Sequence, residues 1–109
     1  MAYRVDLTGR AARNLERIYQ TIDAQNTTQA AAWFNGLEKT ILSLDKHPAR
    51  GSPVAEDDRL RQVLYGRRRH RYRIIYTIDE RTEIVTVLHI RHGARAELER
   101  IASHEPGGP

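Results

Sequence analysis

The sequence predicts one α+β domain in which an N-terminal helical hairpin packs on one face of a four-stranded antiparallel, mixed-edge sheet, with a short C-terminal helix. The predicted order is β-α-α-β-β-β-α. Three observations lead to this prediction. The chain of 109 residues is long enough for one hydrophobic core. Two stretches with helical periodicity follow a short alternating segment. Three strand-like runs then follow in the second half of the chain.

The first strand and the first helix are adjacent in the sequence. "YRVDL" alternates apolar and polar residues, which is typical of a half-buried strand. Thr8 follows and is a good helix N-cap. Apolar residues with helical spacing run from Ala11 to Ile22 and stop at the polar "AQNTT". We therefore expect a helix over about residues 9–25.

The second helix has the strongest apolar stripe. Thr27 or Thr28 is its expected cap. The helix is expected to end before Pro48, because proline cannot continue it. The stripe is best explained as core that covers a sheet, with no function of its own. It consists of Ala30, Trp33, Phe34, Leu37, Ile41 and Leu44.

The second half of the chain contains the remaining strands. Residues 47–59, "HPARGSPVAEDDR", are rich in turn residues and charge, and we expect an irregular connection there. "LRQVLY", "RYRIIYTI" and "EIVTVLHIRH" read as strands, the last two joined by the polar turn "DERT". A helix over about 94–102 is expected to complete a single domain, residues 1–102. Residues 103–109, "SHEPGGP", are expected to form a flexible tail.

Composition excludes several classes of function. The chain has no cysteine, so it contains neither disulfides nor thiolate metal sites, and a reducing, cytoplasmic location is expected. No signal peptide or membrane-length apolar run is present, so we expect no membrane association. His89 and His92 are three residues apart and would point to opposite faces of a strand, which argues against a metal site. We expect no cofactor.

Positive charge is concentrated in the second half of the chain. Residues 1–58 hold seven Lys/Arg against eight Asp/Glu, and residues 59–109 hold eleven against six, so the halves carry −1 and +5. Arginine accounts for sixteen of the eighteen basic residues. Its planar guanidinium group can form two parallel hydrogen bonds with a phosphate or a carboxylate. The segment "GRRRHRYRIIY" (66–76) is the densest cluster. This distribution favours a polyanion or an acidic protein as partner.

Strand periodicity predicts where these arginines lie. If even-numbered residues of the last two strands pair with each other, the large apolar side chains face the helices. The opposite, open face then collects Arg71, Arg73, His89 and Arg91. A slip of one residue would bury unpaired arginines at a cost of several kcal/mol each, so we expect the even-with-even register.

The order of elements together with "LDKHPARGSPV", "YRIIYTID" and "VLHIRHGAR" resembles the RelE/ParE superfamily of bacterial toxin–antitoxin toxins. The resemblance covers nearly the whole chain. It implies a growth-inhibiting toxin of a plasmid-stabilisation module, neutralised in a hetero-oligomer by a cognate acidic or amphipathic antitoxin. It also implies a basic functional surface. The residues expected to form it are Arg67, Arg68, Arg69, Arg71, Arg73, Arg91 and Arg95.

Two activities are known in this superfamily. The first is ribosome-dependent mRNA cleavage, for which the resemblance suggests Arg73 as a phosphate contact and His89 or His92 for proton transfer. Two departures from the RelE-type pattern argue against this activity. The second strand, "LRQVLYG", lacks the pair of lysines of RelE-type toxins, and no tyrosine follows residue 76 to take the place of the catalytic one in the C-terminal segment.

The second activity is poisoning of DNA gyrase, a binding function without catalysis, which is typical of the ParE branch. The long helical hairpin and the connection from His47 to Gly51 resemble this branch more, so it is our first expectation. A non-toxic nucleic-acid-binding domain is a further alternative, which explains the charge but not the set of motifs.

Overall fold

The computed structural model describes residues 2–93, which form a helical hairpin packed on one face of a mixed sheet. The sheet order is β1-β5-β4-β3-β2, with β1 parallel to β5 and all other pairs antiparallel. The expected helix at 94–102 and tail at 103–109 lie outside the described residues. The elements are β1 Arg4–Leu7, α1 Gly9–Thr21, α2 Thr28–Leu42, β2 Ser52–Val54, β3 Asp57–Tyr65, β4 Tyr72–Asp79 and β5 Ile84–His92, with 3-10 turns at Ser43–Asp45, Pro48–Arg50 and Arg68–His70.

Five strands are present in the described residues, so the prediction of four strands was wrong. The additional strand is Ser52–Val54, in the segment that we expected to be irregular. It lies at the edge of the sheet and pairs with β3 through an irregular register. Pro53 is tolerated because an edge strand needs hydrogen bonds on only one side. A three-residue strand has too few residues to show an alternating pattern in the sequence.

Both helices begin where the sequence predicted. The hydroxyl groups of Thr8 and Thr27 accept hydrogen bonds from the amides of Ala11 and Ala30, respectively. Helix α1 ends at Thr21, four residues earlier than expected, and Asp23 then adopts a left-handed conformation with φ 59°. Such a residue commonly follows a helix end and turns the chain.

The core lies between the helical hairpin and the sheet. Residues with 0% exposure include Leu37 and Leu44 from the helical side and Ile74, Val85 and Val87 from the sheet. These belong to one continuous cluster of buried side chains. The apolar stripe of α2 is therefore part of the core, as its spacing predicted.

A β-bulge changes the register of β4 and β5 halfway along their length. Ile74 pairs with Ile90, as the even-with-even prediction required, but Tyr76 pairs with Val87. The extra residue in β5 is Leu88, which has no partner in the β4–β5 ladder. Its carbonyl oxygen accepts a hydrogen bond of 2.7 Å from the Thr8 hydroxyl of the neighbouring helix start.

The predicted register was therefore wrong beyond the bulge. Val85 and Val87 are odd-numbered and would lie on the open face in the predicted register, but they are buried in the core. Ile84 and Thr86, assigned to the core, pair with Asp79 and Thr77 on the other face. Both faces of this half of β5 carry apolar or neutral residues, so the sequence pattern did not distinguish them. Within residues 2–93, no helix is long and apolar enough to cross a membrane.

Candidate functional site

The open face, defined as the sheet face away from the helices, carries part of the expected basic surface. Arg73 is opposite Arg91 in the β4–β5 ladder, and His89 is opposite Ile75. Residues directly opposite each other in a ladder share a face, as do residues two apart on a strand. Arg73, His89 and Arg91 therefore lie on one face, while Ile74 packs in the core on the other. The prediction is confirmed for these three residues, whereas Arg71 precedes β4 and is not part of the β4–β5 ladder.

Arg73 differs from its neighbours because it is buried. It is 2% exposed, whereas Arg91 is exposed to solvent. The Arg73 Nε donates a hydrogen bond of 2.6 Å to Oε1 of Gln62 on the adjacent strand. One of its terminal nitrogens lies 3.6 Å from a carboxylate oxygen of Glu56 in the β2–β3 turn. The guanidinium is thus already engaged within the protein.

His89 is a partly buried base on the open face. Its Nδ1 is a buried side-chain atom without a hydrogen-bond partner among the described residues. Burial lowers the pKa of His89, and the charges of Arg10, Arg91 and Arg73 lower it further. The neutral form of the imidazole is therefore favoured at neutral pH.

Arg10 is a residue of this group that the sequence analysis missed. It lies in the first turn of α1, and α1 begins against β5 because Thr8 donates its backbone N–H to Val87. Asn14, one turn further along α1, accepts a hydrogen bond of 3.0 Å from the amide of Ile90. These contacts place the first turn of α1 next to His89. Arg10 is 79 positions from His89 in the sequence, so no local pattern connects them.

His92 lies on the opposite face of β5 from His89. It is paired with Tyr72, and the two rings meet edge to face with centroids 5.1 Å apart. Its Nε2 contacts the backbone carbonyl of Arg69. The two histidines proposed for proton transfer are therefore not brought together, and only His89 shares a face with Arg73.

The remaining arginines of the cluster lie at the entrance to β4. Arg67, Arg69 and Arg71 are exposed, and Arg68 begins the 3-10 turn Arg68–His70. Arg95 lies outside the described residues. Within residues 2–93, no group of three or more His, Asp or Glu side chains is placed to hold a metal ion.

The fold defines a class of protein. A helical hairpin on one face of a mixed sheet is the fold that this chain shares with solved structures of RelE and ParE toxin–antitoxin systems. Residues 5–97 match the family model described as ParE toxin of type II toxin-antitoxin system, parDE. The match spans most of the chain, which therefore belongs to the ParE toxin family. No curated protein matches the sequence.

Solved structures of this superfamily share the fold. The toxin–antitoxin complex RelBE2 from Mycobacterium tuberculosis matches with 25% identity and a TM-score of 0.60, covering 86% of this chain and 94% of that one. The chromosomal ParDE system from P. aeruginosa matches with 15% identity and a TM-score of 0.66, covering 84% and 96%. The isolated E. coli RelE toxin matches with 17% identity and a TM-score of 0.60, covering 92% and 99%.

Proposed function

We propose that this toxin inhibits growth in the cytoplasm by poisoning DNA gyrase, as a binding protein without catalysis of its own. The observation that carries the proposal is the burial and hydrogen bonding of the Arg73 guanidinium. A ribonuclease needs a free cation to stabilise charge that develops on the scissile phosphate. Here the Arg73 guanidinium is buried, donates a hydrogen bond to Gln62 and lies 3.6 Å from a carboxylate oxygen of Glu56. The placement of His89 and His92 on opposite faces also removes a paired general acid and base.

A cognate antitoxin is the expected partner in this proposal. The exposed arginines at positions 67, 69 and 71, with Arg91 on the open face, offer an acidic partner a surface that accelerates encounter. Among the similar solved structures, RelBE2 is a toxin–antitoxin complex and ParDE is a toxin–antitoxin system. We extend that assembly to this chain as a hetero-oligomer, and with it a role in plasmid stabilisation.

Ribosome-dependent mRNA cleavage remains the second candidate because of one observation. Burial, together with the charges of Arg10 and Arg91, lowers the pKa of His89 and favours its neutral form. A neutral imidazole next to cations has the chemistry of a general base near a phosphate. Arg10 and Arg91 would replace the engaged Arg73 as phosphate contacts in that mechanism.

Two parallel assays distinguish the candidates. In one tube, purified toxin is mixed with gyrase and relaxed plasmid; in the other, with ribosomes and a defined mRNA. The gyrase proposal predicts loss of supercoiling or accumulation of cleaved plasmid, with the mRNA intact, and reversal by the antitoxin. Codon-positioned mRNA cuts with normal supercoiling would refute it.

A matched pair of variants tests the surface. Arg91→Ala removes an exposed charge from the open face, and Arg81→Ala removes an exposed charge from the β4–β5 turn. We expect the first to weaken gyrase inhibition and the second to leave it unchanged. Equal effects would place the functional surface elsewhere.

A further inference from the structure

Two adjoining cavities lie on the helix side of the sheet, away from the open face. The first, of about 290 Å³, is lined mainly by apolar groups: Ile22, Thr27, Gln29, Ala30, Trp33 and His70. The second, of about 420 Å³, is lined by Trp33, Tyr65, Gly66, Arg67 and His70. They share Trp33 and His70, and Arg67 lines only the second. We call the first cavity the apolar compartment and the second the basic compartment. We call the pair the Trp33 pocket.

The walls of the Trp33 pocket are held in place by specific contacts. The Trp33 ring packs edge to face on Tyr65 and Tyr72, with centroid separations of 5.0 and 5.6 Å. The Tyr65 hydroxyl donates a hydrogen bond of 2.7 Å to the backbone carbonyl of Trp33, which ties β3 to α2. The tryptophan is therefore fixed in position before any ligand arrives.

The basic wall is shaped by an unusual backbone turn. Gly66 has φ +95°, and a β-carbon at this position would overlap the carbonyl group of His70. The amide of His70 in turn donates a hydrogen bond of 2.9 Å to the carbonyl of Arg67. This turn brings Arg67 and His70 to the same cavity.

We propose that the Trp33 pocket binds a nucleotide, either free or as one unit of a single strand. The base would pack against the Trp33 indole in the apolar compartment, and the phosphate would face Arg67 and His70 in the basic one. Aromatic side chains next to arginine bind bases with little sequence preference, because every base has a π-face. Arginine pairs with phosphate through two parallel hydrogen bonds.

The cavities favour a nucleotide over an acidic peptide. Their volumes, about 290 and 420 Å³, are close to those of small-ligand sites, and the two cavities adjoin at Trp33 and His70. Among residues 2–93, no acidic side chain lines either cavity. The order of an apolar compartment followed by a basic one matches the order of base and phosphate. The site lies away from the open face and does not depend on the gyrase proposal, although Arg67 also belongs to the surface proposed for the antitoxin.

Trp33 is the only tryptophan in the chain, which makes the test direct. Its fluorescence is titrated with AMP, with a five-residue oligo(dA), with adenosine and with inorganic phosphate. We expect saturable quenching by AMP and the oligonucleotide, weaker quenching by adenosine, and none by phosphate. Affinity should fall as salt is raised, because the phosphate contact is ionic.

Two variants and a control complete the test, measured by anisotropy of a labelled oligonucleotide. Trp33→Ala should weaken binding about 5- to 150-fold, which corresponds to loss of one stacked base. Arg67→Ala should weaken it and reduce its salt dependence, while Arg81→Ala removes a charge at the opposite end of β4 and should change neither. A melting curve for each variant verifies that it is folded.

The proposal is overturned if AMP and the oligonucleotide leave Trp33 fluorescence unchanged up to millimolar concentration. It is also overturned if Trp33→Ala or Arg67→Ala, still folded, binds the oligonucleotide as the parent does. Saturable quenching by an acidic peptide with an aromatic residue, but not by nucleotides, would assign the pocket to a protein partner instead.

Discussion

Substitution of Arg73 tests whether this arginine stabilises the fold or only serves the surface. In the structure, Arg73→Ala removes a 2%-exposed side chain and leaves Gln62 Oε1 without its donor. Loss of a charged hydrogen bond costs about 1.5–3 kcal/mol. The 3.6 Å contact to Glu56 adds little, because that carboxylate side chain is 44% exposed and well hydrated.

We therefore expect Arg73→Ala to lower the free energy of unfolding by about 2–3 kcal/mol. For a domain of this size, each kcal/mol corresponds to roughly 4–8 °C in Tm. The assay is urea unfolding at pH 7, compared with the exposed neighbour Arg71→Ala, which should change stability by less than about 0.5 kcal/mol. Arg73→Met keeps most of the aliphatic volume and separates lost packing from the lost hydrogen bond.

A double-mutant cycle makes the test specific. If Arg73 acts through Gln62, Arg73→Ala and Gln62→Ala should be non-additive by about 0.5–3 kcal/mol. An Arg73→Ala variant as stable as Arg71→Ala, or fully additive effects with Gln62→Ala, would refute the structural role. Loss of toxicity in Arg73→Ala counts as evidence for function only in a variant that remains folded at the assay temperature.

Three further predictions concern local features. In urea unfolding, Thr8→Ala should lower the free energy of unfolding by about 1 kcal/mol more than Thr27→Ala, because Thr8 caps a helix and also donates a hydrogen bond to Leu88, whereas Thr27 only caps a helix. Equal losses would contradict this role of Thr8 at the bulge. Gly66→Ala should cost more than about 1 kcal/mol because of its positive φ, and an unchanged Tm would show that the turn adapts. NMR should show that the pKa of His89 lies below its usual value of 6.5. The contribution of His89 to stability is then present above pH 6.5 and is lost as the pH falls towards the folded-state pKa. An ordinary or raised pKa would contradict the burial of this imidazole.

The sequence predicted those features that depend on local chemistry. Thr8 and Thr27 cap helices because a hydroxyl before a periodic apolar stretch satisfies free amides. The face shared by Arg73 and His89 followed from strand alternation. The helical hairpin on one sheet face followed from the stripe that includes Leu37.

Other features depend on contacts between distant segments and were not visible in the sequence. The bulge at Leu88 is stabilised by Thr8, which is 80 positions away. The edge strand Ser52–Val54 exists because β3 provides hydrogen-bond partners for a segment rich in turn residues. The burial of Arg73 depends on Gln62 and Glu56, whose side chains reach it from β3 and from the β2–β3 turn.

The most direct test of gyrase poisoning is the state of plasmid DNA after the toxin is induced in growing cells. The proposed function predicts linear plasmid with gyrase covalently attached, while abundant mRNAs keep intact coding regions. Co-expression of the antitoxin should restore supercoiled plasmid. Coding regions cut at defined codon positions, with normally supercoiled plasmid at the moment growth stops, would contradict gyrase poisoning and establish the nuclease activity.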